Sequence, residues 1–228
     1  MPGGWPLDVA LVCGLITVTV ALAAKTPLLS LDVMVANWCD AHRPTAGYWL
    51  ARVLNVVGQG SPLALLTLVL ASWRTFRYRS VRPLLVFVVS YVMIYLFVGP
   101  VKLISDRAAP HEATLEHPEW LLSSVAGMSY PSGHVVNAVV WYTALAILLG
   151  GWLPRWLWTV LRTVPVVLVA GTTTYLGYHW LSDGLAGVLI GLLIARILLR
   201  VDWDAAPLGG RLAGSGWDRP VGLGAAVD

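Results

Sequence analysis

The chain has 228 residues, of which 57% are hydrophobic and only 12% charged, with a formal net charge of +3 and a mean hydropathy of +0.73. A soluble domain carries about 25% charged residues, so there is too little polar surface here to coat a globule, and lipid must be the solvent for much of the chain. The small net charge forms no nucleic-acid-binding stripe, and the two cysteines, Cys13 and Cys39, offer neither a disulfide framework nor metal-ligand spacing.

In chain order, apolar runs predict membrane spans over roughly 7–24, 56–73, 83–104, 134–153, 157–178 and 182–200, each close to the 20 or so residues that a bilayer requires. The fold class expected is all-α, a polytopic bundle of six transmembrane helices over residues 1–200. The first run has no basic n-region and no clear small-x-small cleavage site, and reads as a retained span. Residues 25–55 mix Asp32, Asp40, His42 and Arg43 with apolar positions and suggest short interfacial helices. The second run is interrupted by Gln59, Gly60 and Pro62. Residues 105–133 form the longest polar connection, and the Gly-rich stretch 201–228, with Pro207 and Pro220, is expected to be a disordered cytoplasmic tail.

Orientation follows from the short loops. Arg74, Arg77, Arg79 and Arg82 lie between spans two and three, Arg155 between spans four and five, and Arg196 and Arg200 at the end of span six. With six spans these fall on one side, which the positive-inside rule makes cytoplasmic. Both termini are then cytoplasmic, in a plasma-membrane protein. The 105–133 loop, the start of span four and the 178–183 turn face outward, so Lys102, His134, His179 and Asp183 converge on the outer face.

Three short stretches carry chemistry there. In "GYHWLSDGLAG" (177–187), His179 and Asp183 are four residues apart. A helix places them on one face, where the carboxylate can fix the imidazole tautomer and leave one nitrogen free to attack. The plainer reading is an interfacial histidine with Ser182 or Asp183 capping the last span. In "PSGH" (131–134), Gly133 permits a tight turn and the N–H groups that open span four form an anion site. His134 stands beside that site, placed to protonate a leaving oxygen. Lys102 closes span three in "GPVKLISDRAAPHE" (99–112). A snorkelling lysine is the ordinary account, but a cation at an outward end runs against the positive-inside bias.

The order and spacing of these stretches resemble the type 2 phosphatidic acid phosphatase superfamily, whose pattern is K-x6-R-P, then P-S-G-H, then S-R-x5-H-x3-D. Lys102 and Pro110 match the first stretch, Pro131, Ser132, Gly133 and His134 the second, and His179 and Asp183 the third. The resemblance covers roughly residues 30–200. It implies a lipid-phosphate phosphatase that uses neither metal nor other cofactor. His179 would be the nucleophile that forms a phosphohistidine, Asp183 its orienting partner, and His134 the general acid and then base. Lys102, with backbone N–H groups near Ser132 and Gly133, would hold the phosphoryl oxygens.

Both arginines of the pattern are absent. Ala109 stands at the first, and Thr172 and Thr173 replace Ser-Arg in the third stretch. A guanidinium fork on phosphate is not reproduced by threonine, and its loss is worth about 2–4 kcal/mol, roughly 30- to 1000-fold in rate. Arg107 is the candidate to swing in and restore part of that charge; the other reading pairs it with Asp106 as a solvated loop arginine. Two alternatives stay open: a lipid phosphotransferase or head-group transferase whose pocket takes a larger group, and a catalytically impaired lipid-binding relative. His111, Glu112, Glu116, His117 and Glu119 crowd the outer loop without compact metal spacing and read as solvated.

Overall fold

The structure, a computed structural model, describes residues 4–112, 116–122, 127–208 and 213–223. Eight α-helices follow one another: α1 (Trp5–Ala23), α2 (Pro27–Ala41), α3 (Thr45–Asn55), α4 (Gly60–Tyr78), α5 (Arg82–Ser105), α6 (Gly133–Leu149), α7 (Arg155–Tyr175) and α8 (Leu181–Arg200), with 3-10 turns at Val56–Gly58 and Gly150–Trp152. There is no named strand among the described residues, and helices, which satisfy their backbone groups internally, are what lipid demands of a span. The helix starts are set by residues that cannot continue one: Pro6, Pro27 and Pro83 sit in first turns, where a missing N–H costs nothing.

Five stretches are long and apolar enough to cross a membrane: Trp5–Ala23, Thr45–Tyr78, Arg82–Ser105, Trp156–Tyr175 and Leu181–Arg200. The sixth, α6, has 17 residues and spans about 26 Å at about 1.5 Å per residue. It is shorter than the run 134–153 suggests because Gly150 adopts φ +50° and Pro154 then starts α7. The interruption at Gln59, Gly60 and Pro62 marks the start of α4 rather than a flaw within it. Residues 25–55 form α2 and α3, two short helices as expected.

Helix α6 is the core of the bundle, with buried residues on every side. Helix α8 lies close against it because Gly187 and Gly191 have no side chain in the way. A Cβ on Gly187 would come within 2.8 Å of the Ser132 carbonyl oxygen, and one on Gly191 within 2.8 Å of Val139 Cβ. Small residues at such crossings let helices approach where lipid offers no hydrophobic drive.

Asp8, at the start of α1, pairs with Arg196 and Arg200 at the end of α8, each at 2.5 Å. The start of α1 and the end of α8 therefore share one face of the bundle. At that face the stretch expected to be a disordered tail departs from expectation. In its described parts it folds back on the helices: Trp203 and Leu223 join the main apolar core, and Asp204 accepts from the N–H groups of Val221 and Leu223. The physical reason lies in two buried arginines on the helices. Arg82 donates to the carbonyls of Trp203 (2.8 Å) and Ala206 (3.0 Å) and to Asp218 (2.5 Å). Arg74 donates to the Val221 carbonyl at 2.8 Å and to that of Leu148. Loop arginines read as topology signals are thus also the clamps of this segment. Arg155 has its backbone, but not its side chain, among the described residues.

Replacing Arg82 with alanine leaves two carbonyls and the Asp218 carboxylate without their donor. Arg82→Ala is expected to lower unfolding stability by about 2–4 kcal/mol and to open residues 201–223 to limited proteolysis in detergent. Cleavage unchanged from the parent would contradict the clamp.

Candidate active site

The opposite face carries the predicted constellation, and each member is placed by a helix end. Helix α5 ends at Ser105, and Asp106 turns left-handed at φ +43°, which sends Arg107 inward. The following strand-like segment bridges to Met128, with Ser129 N–H donating to the Arg107 carbonyl at 2.9 Å. Ser132 caps α6 through its hydroxyl, which accepts from Val135 N–H at 3.5 Å, and its own N–H donates to the Asp183 carbonyl at 3.0 Å. Gly177, at φ +72°, makes the tight turn between α7 and α8 that presents His179.

His134 Nδ1 and His179 Nε2 lie 3.4 Å apart, with ring centroids at 5.6 Å. The other nitrogen of His179, Nδ1, is 2.9 Å from the Ser129 carbonyl oxygen. A carbonyl only accepts, so Nδ1 carries the proton and Nε2 holds the lone pair facing His134. Asp183 Oδ2 is 3.7 Å from His179 Nδ1, beyond hydrogen-bond range, and reaches it through Ser129, whose hydroxyl donates to Oδ2 at 2.5 Å. Oδ2 also accepts from Trp180 N–H at 3.0 Å. Asp183 therefore sits at the third position of α8 and is held in its first turn, and the contact that sets the ring is Ser129 O rather than the carboxylate expected from the spacing. Lys102 Nζ donates to the Met128 carbonyl, and a Cβ on Gly133 would stand 3.4 Å from Lys102 Cε. The ammonium is thus beside the N-terminus of α6.

Arg107, the candidate to restore the lost charge, and Thr173, at the arginine position of the pattern, both turn into the protein. Arg107 pairs with Asp32 and Asp183 rather than with Asp106. Its side chain has no exposed surface and four of its five N–H donors are engaged: Nε on the Glu119 carbonyl (2.8 Å), one terminal nitrogen on Ser182 Oγ (2.8 Å) and Asp183 Oδ1 (2.5 Å), the other on Asp32 Oδ2 (2.7 Å). Burying an arginine this completely requires paired anions, and Asp32 and Asp183 supply them. Thr173 is fully buried and its hydroxyl donates back to the Val169 carbonyl of its own helix at 2.7 Å. What Thr173 gives the site is its carbonyl, which accepts from the N–H groups of Tyr178 (2.9 Å) and His179 (3.3 Å). Ser132 is likewise buried as a cap, so Gly133 with its neighbouring N–H groups is what that turn offers an anion.

Ser129 and Trp180 were not singled out in the sequence, and Asp32 and Ser182 were read only as an interfacial residue and a helix cap. Asp32 comes from α2, about a hundred and fifty residues away, and accepts from Ser182 N–H at 2.9 Å. No spacing rule reaches that far. Ser129 had a local signal, because it immediately precedes the Tyr130-Pro131 step into the PSGH turn. In the outer loop, residues 113–115 lie outside the described residues. His117 stacks on Trp120 at 3.8 Å and lies 3.2 Å from Glu119. No group of three His, Cys, Asp or Glu able to hold a metal occurs among the described residues.

Arg107→Ala would leave two buried carboxylates facing each other's field without a counter-ion. An unfolding loss of about 3–5 kcal/mol is expected, against about 1 kcal/mol or less for Thr173→Val, both read from thermal unfolding in detergent. Comparable losses for the two would contradict this assignment of their roles.

The sequence profile of the PAP2 superfamily matches residues 83–207, more than half of the chain and all the site residues except Asp32. Among curated proteins, an undecaprenyl-diphosphatase of Sulfolobus acidocaldarius is 34% identical over 87 residues, 38% of this chain and 40% of its own. A phosphatidylglycerophosphatase B of Bacillus subtilis is 33% identical over 94 residues, 39% of this chain and 43% of its own. The matched segments thus span about two-fifths of the length of these relatives. Among solved structures, the transmembrane PAP2-type phosphatidylglycerolphosphate phosphatase of Bacillus subtilis superposes with a TM-score of 0.71, covering 89% of this chain and 98% of that one at 23% identity. That likeness establishes the fold and, with the five membrane-length helical stretches, an integral membrane protein. With its profile match across α5 to α8, the chain belongs to the PAP2 superfamily.

Proposed function

We propose that the protein is a metal-independent lipid-phosphate phosphatase that works through a phosphohistidine at the outer face of the plasma membrane, with both termini in the cytoplasm. The observation that carries this reading is the His134–His179 pair. One ring has its Nδ1 proton pinned by a backbone carbonyl at 2.9 Å and its lone pair facing the other ring at 3.4 Å. The names of the relatives, an undecaprenyl-diphosphatase and a phosphatidylglycerophosphatase, agree with a phosphate group on a lipid as substrate.

The chemistry balances in two displacements. In the first, the Nε2 lone pair of His179 forms a bond to phosphorus, the bond from phosphorus to the leaving oxygen breaks, and a proton on His134 moves to that oxygen. In the second, His134 takes a proton from water, the water oxygen bonds to phosphorus, and the phosphorus–Nε2 bond breaks to release inorganic phosphate. His179 becomes cationic when it carries the phosphoryl group, and the Asp183 carboxylate 3.7 Å away offsets that charge. Lys102 and the N–H groups at Gly133 receive the phosphoryl oxygens. Since Arg107 is spent on Asp32 and Asp183, the cation facing the phosphate is Lys102.

The test is a purified protein assayed on a panel of lipid phosphates and diphosphates, with inorganic phosphate and transferred products both followed. Phosphate release is expected. It should be abolished in His179→Ala, fall at least about 1000-fold in His134→Ala and fall about 100- to 1000-fold in Lys102→Ala. Transfer to an acceptor lipid without phosphate release would replace hydrolysis with the phosphotransferase reading. Because a histidine is the nucleophile and an ammonium, rather than a metal ion, offsets the charge on the phosphoryl oxygens, EDTA should leave the rate unchanged. Loss of activity in EDTA, restored by zinc or magnesium, would contradict the mechanism.

A further inference from the structure

The middle of α7 carries a feature that the proposed reaction does not use. A cleft of about 380 Å³ lies between α6, α7 and α8, away from the histidine pair. Its α7 wall is Thr159, Arg162, Thr163 and Val166, spaced i, i+3, i+4 and i+7, so one helical face carries them all. Thr143 of α6 and Val188 and Leu192 of α8 complete it. Thr159 and Thr163 are exposed and Arg162 is half-buried, so the cleft opens sideways, toward lipid. Arg162 makes no hydrogen bond or ion pair among the described residues. An ionisable side chain at membrane depth with no protein partner calls for a ligand.

Depth identifies which ligand. Arg162 is seven residues from the start of α7, about 10 Å along the axis, and Thr143 is six residues from the end of α6, about 9 Å. Both measures place the cleft nearer the face that holds Asp8, Arg196 and the packed chain end than the catalytic face. Helical side chains lean toward the helix N-terminus, and α7 begins at that same face, so the guanidinium reaches back to the headgroup boundary. A phosphate dipping from that leaflet meets a two-pronged donor flanked by threonine hydroxyls. The walls of valine and leucine then take the acyl chains. The exposed Arg77 and Arg79 add positive charge at the same face, which concentrates anionic lipid there.

We infer that this cleft is a binding site for an anionic phospholipid of the leaflet opposite the catalytic face, held by Arg162 with Thr159 and Thr163. The occupant wedges between α7, which runs up to the turn bearing His179, and α8, which bears Asp183. It thereby stabilises the spacing of the helices beneath the catalytic pair.

Native mass spectrometry of the full chain, titrated with phosphatidylglycerol or phosphatidylcholine, tests this. The parent protein should hold phosphatidylglycerol about tenfold or more tightly than phosphatidylcholine. Arg162→Gln should erase that preference. Arg162→Lys, which keeps the charge and loses the fork, should retain part of it, and His179→Ala should retain all of it. Phosphatidylglycerol should also raise the thermal midpoint of the parent but not of Arg162→Gln. An unchanged preference in Arg162→Gln would overturn the site, as would equal binding of the two lipids by the parent, which is the result of an arginine that only snorkels. Loss of the adduct in His179→Ala would overturn it too, by moving the lipid to the catalytic pocket. Should Arg162→Gln not fold, Thr163→Val gives the same reading: weaker phosphatidylglycerol binding supports the site, and unchanged binding overturns it.

Discussion

A single guanidinium with no exposed surface joins three parts of the chain that are far apart in sequence. Arg107, from the turn after α5, bonds Asp32 of α2 and Asp183 of α8, and all three side chains are without exposure. Two carboxylates against one arginine leave a net negative charge in a dry place, which is costly unless hydrogen bonds offset it. Besides Arg107, Ser182 gives its N–H and hydroxyl to Asp32, and the Ser129 hydroxyl and Trp180 N–H donate to Asp183. The leftover charge lies beneath His179. In the proposed mechanism that charge favours the cationic phosphohistidine, so the device that locks these helix ends together also sets the electrostatics of the reaction.

The two faces of the bundle divide the work by the same means, arginine to backbone or carboxylate, with different ends. At one face the helix termini leave N–H groups and carbonyls that are turned to chemistry: Ser129 O holds a ring, Thr173 O holds the His179 backbone, and the opening of α6 lies beside Lys102. At the other, Arg74 and Arg82 use up carbonyls of the chain beyond α8 and seal it against the bundle. Helix α6 runs between the faces and is short, so both polar ends are drawn toward the middle of the bilayer.

What could be seen in the sequence follows the range of each interaction. Spans were legible because an apolar run is a local property, while the end of α6 was not, because the apolar run continues past the left-handed Gly150. His134, His179 and Asp183 were legible because the two histidine stretches each open a helix and the His179–Asp183 spacing is one helical turn. The role of Arg107 was not, since its partner Asp32 carries no mark of its own among the interfacial residues 25–55. Ser129 O was invisible because any residue has a carbonyl. The contacts of the chain end were invisible for the same reason: its glycines and prolines suggest disorder, while the donors that hold its described parts are arginines far away in the chain. Thr173 stands where the family pattern has arginine, and only the fold reveals that its hydroxyl is turned to its own helix.

The account depends most on which nitrogen of which histidine takes the phosphoryl group. Protein mixed with a radiolabelled lipid phosphate, quenched within a turnover and mapped by peptide mass spectrometry, answers this directly. With Nδ1 of His179 committed to the Ser129 carbonyl, the phosphate is predicted on Nε2 of His179. Phosphate on His134, on Nδ1 of His179, or release of phosphate by a fully active enzyme that never becomes labelled would contradict it.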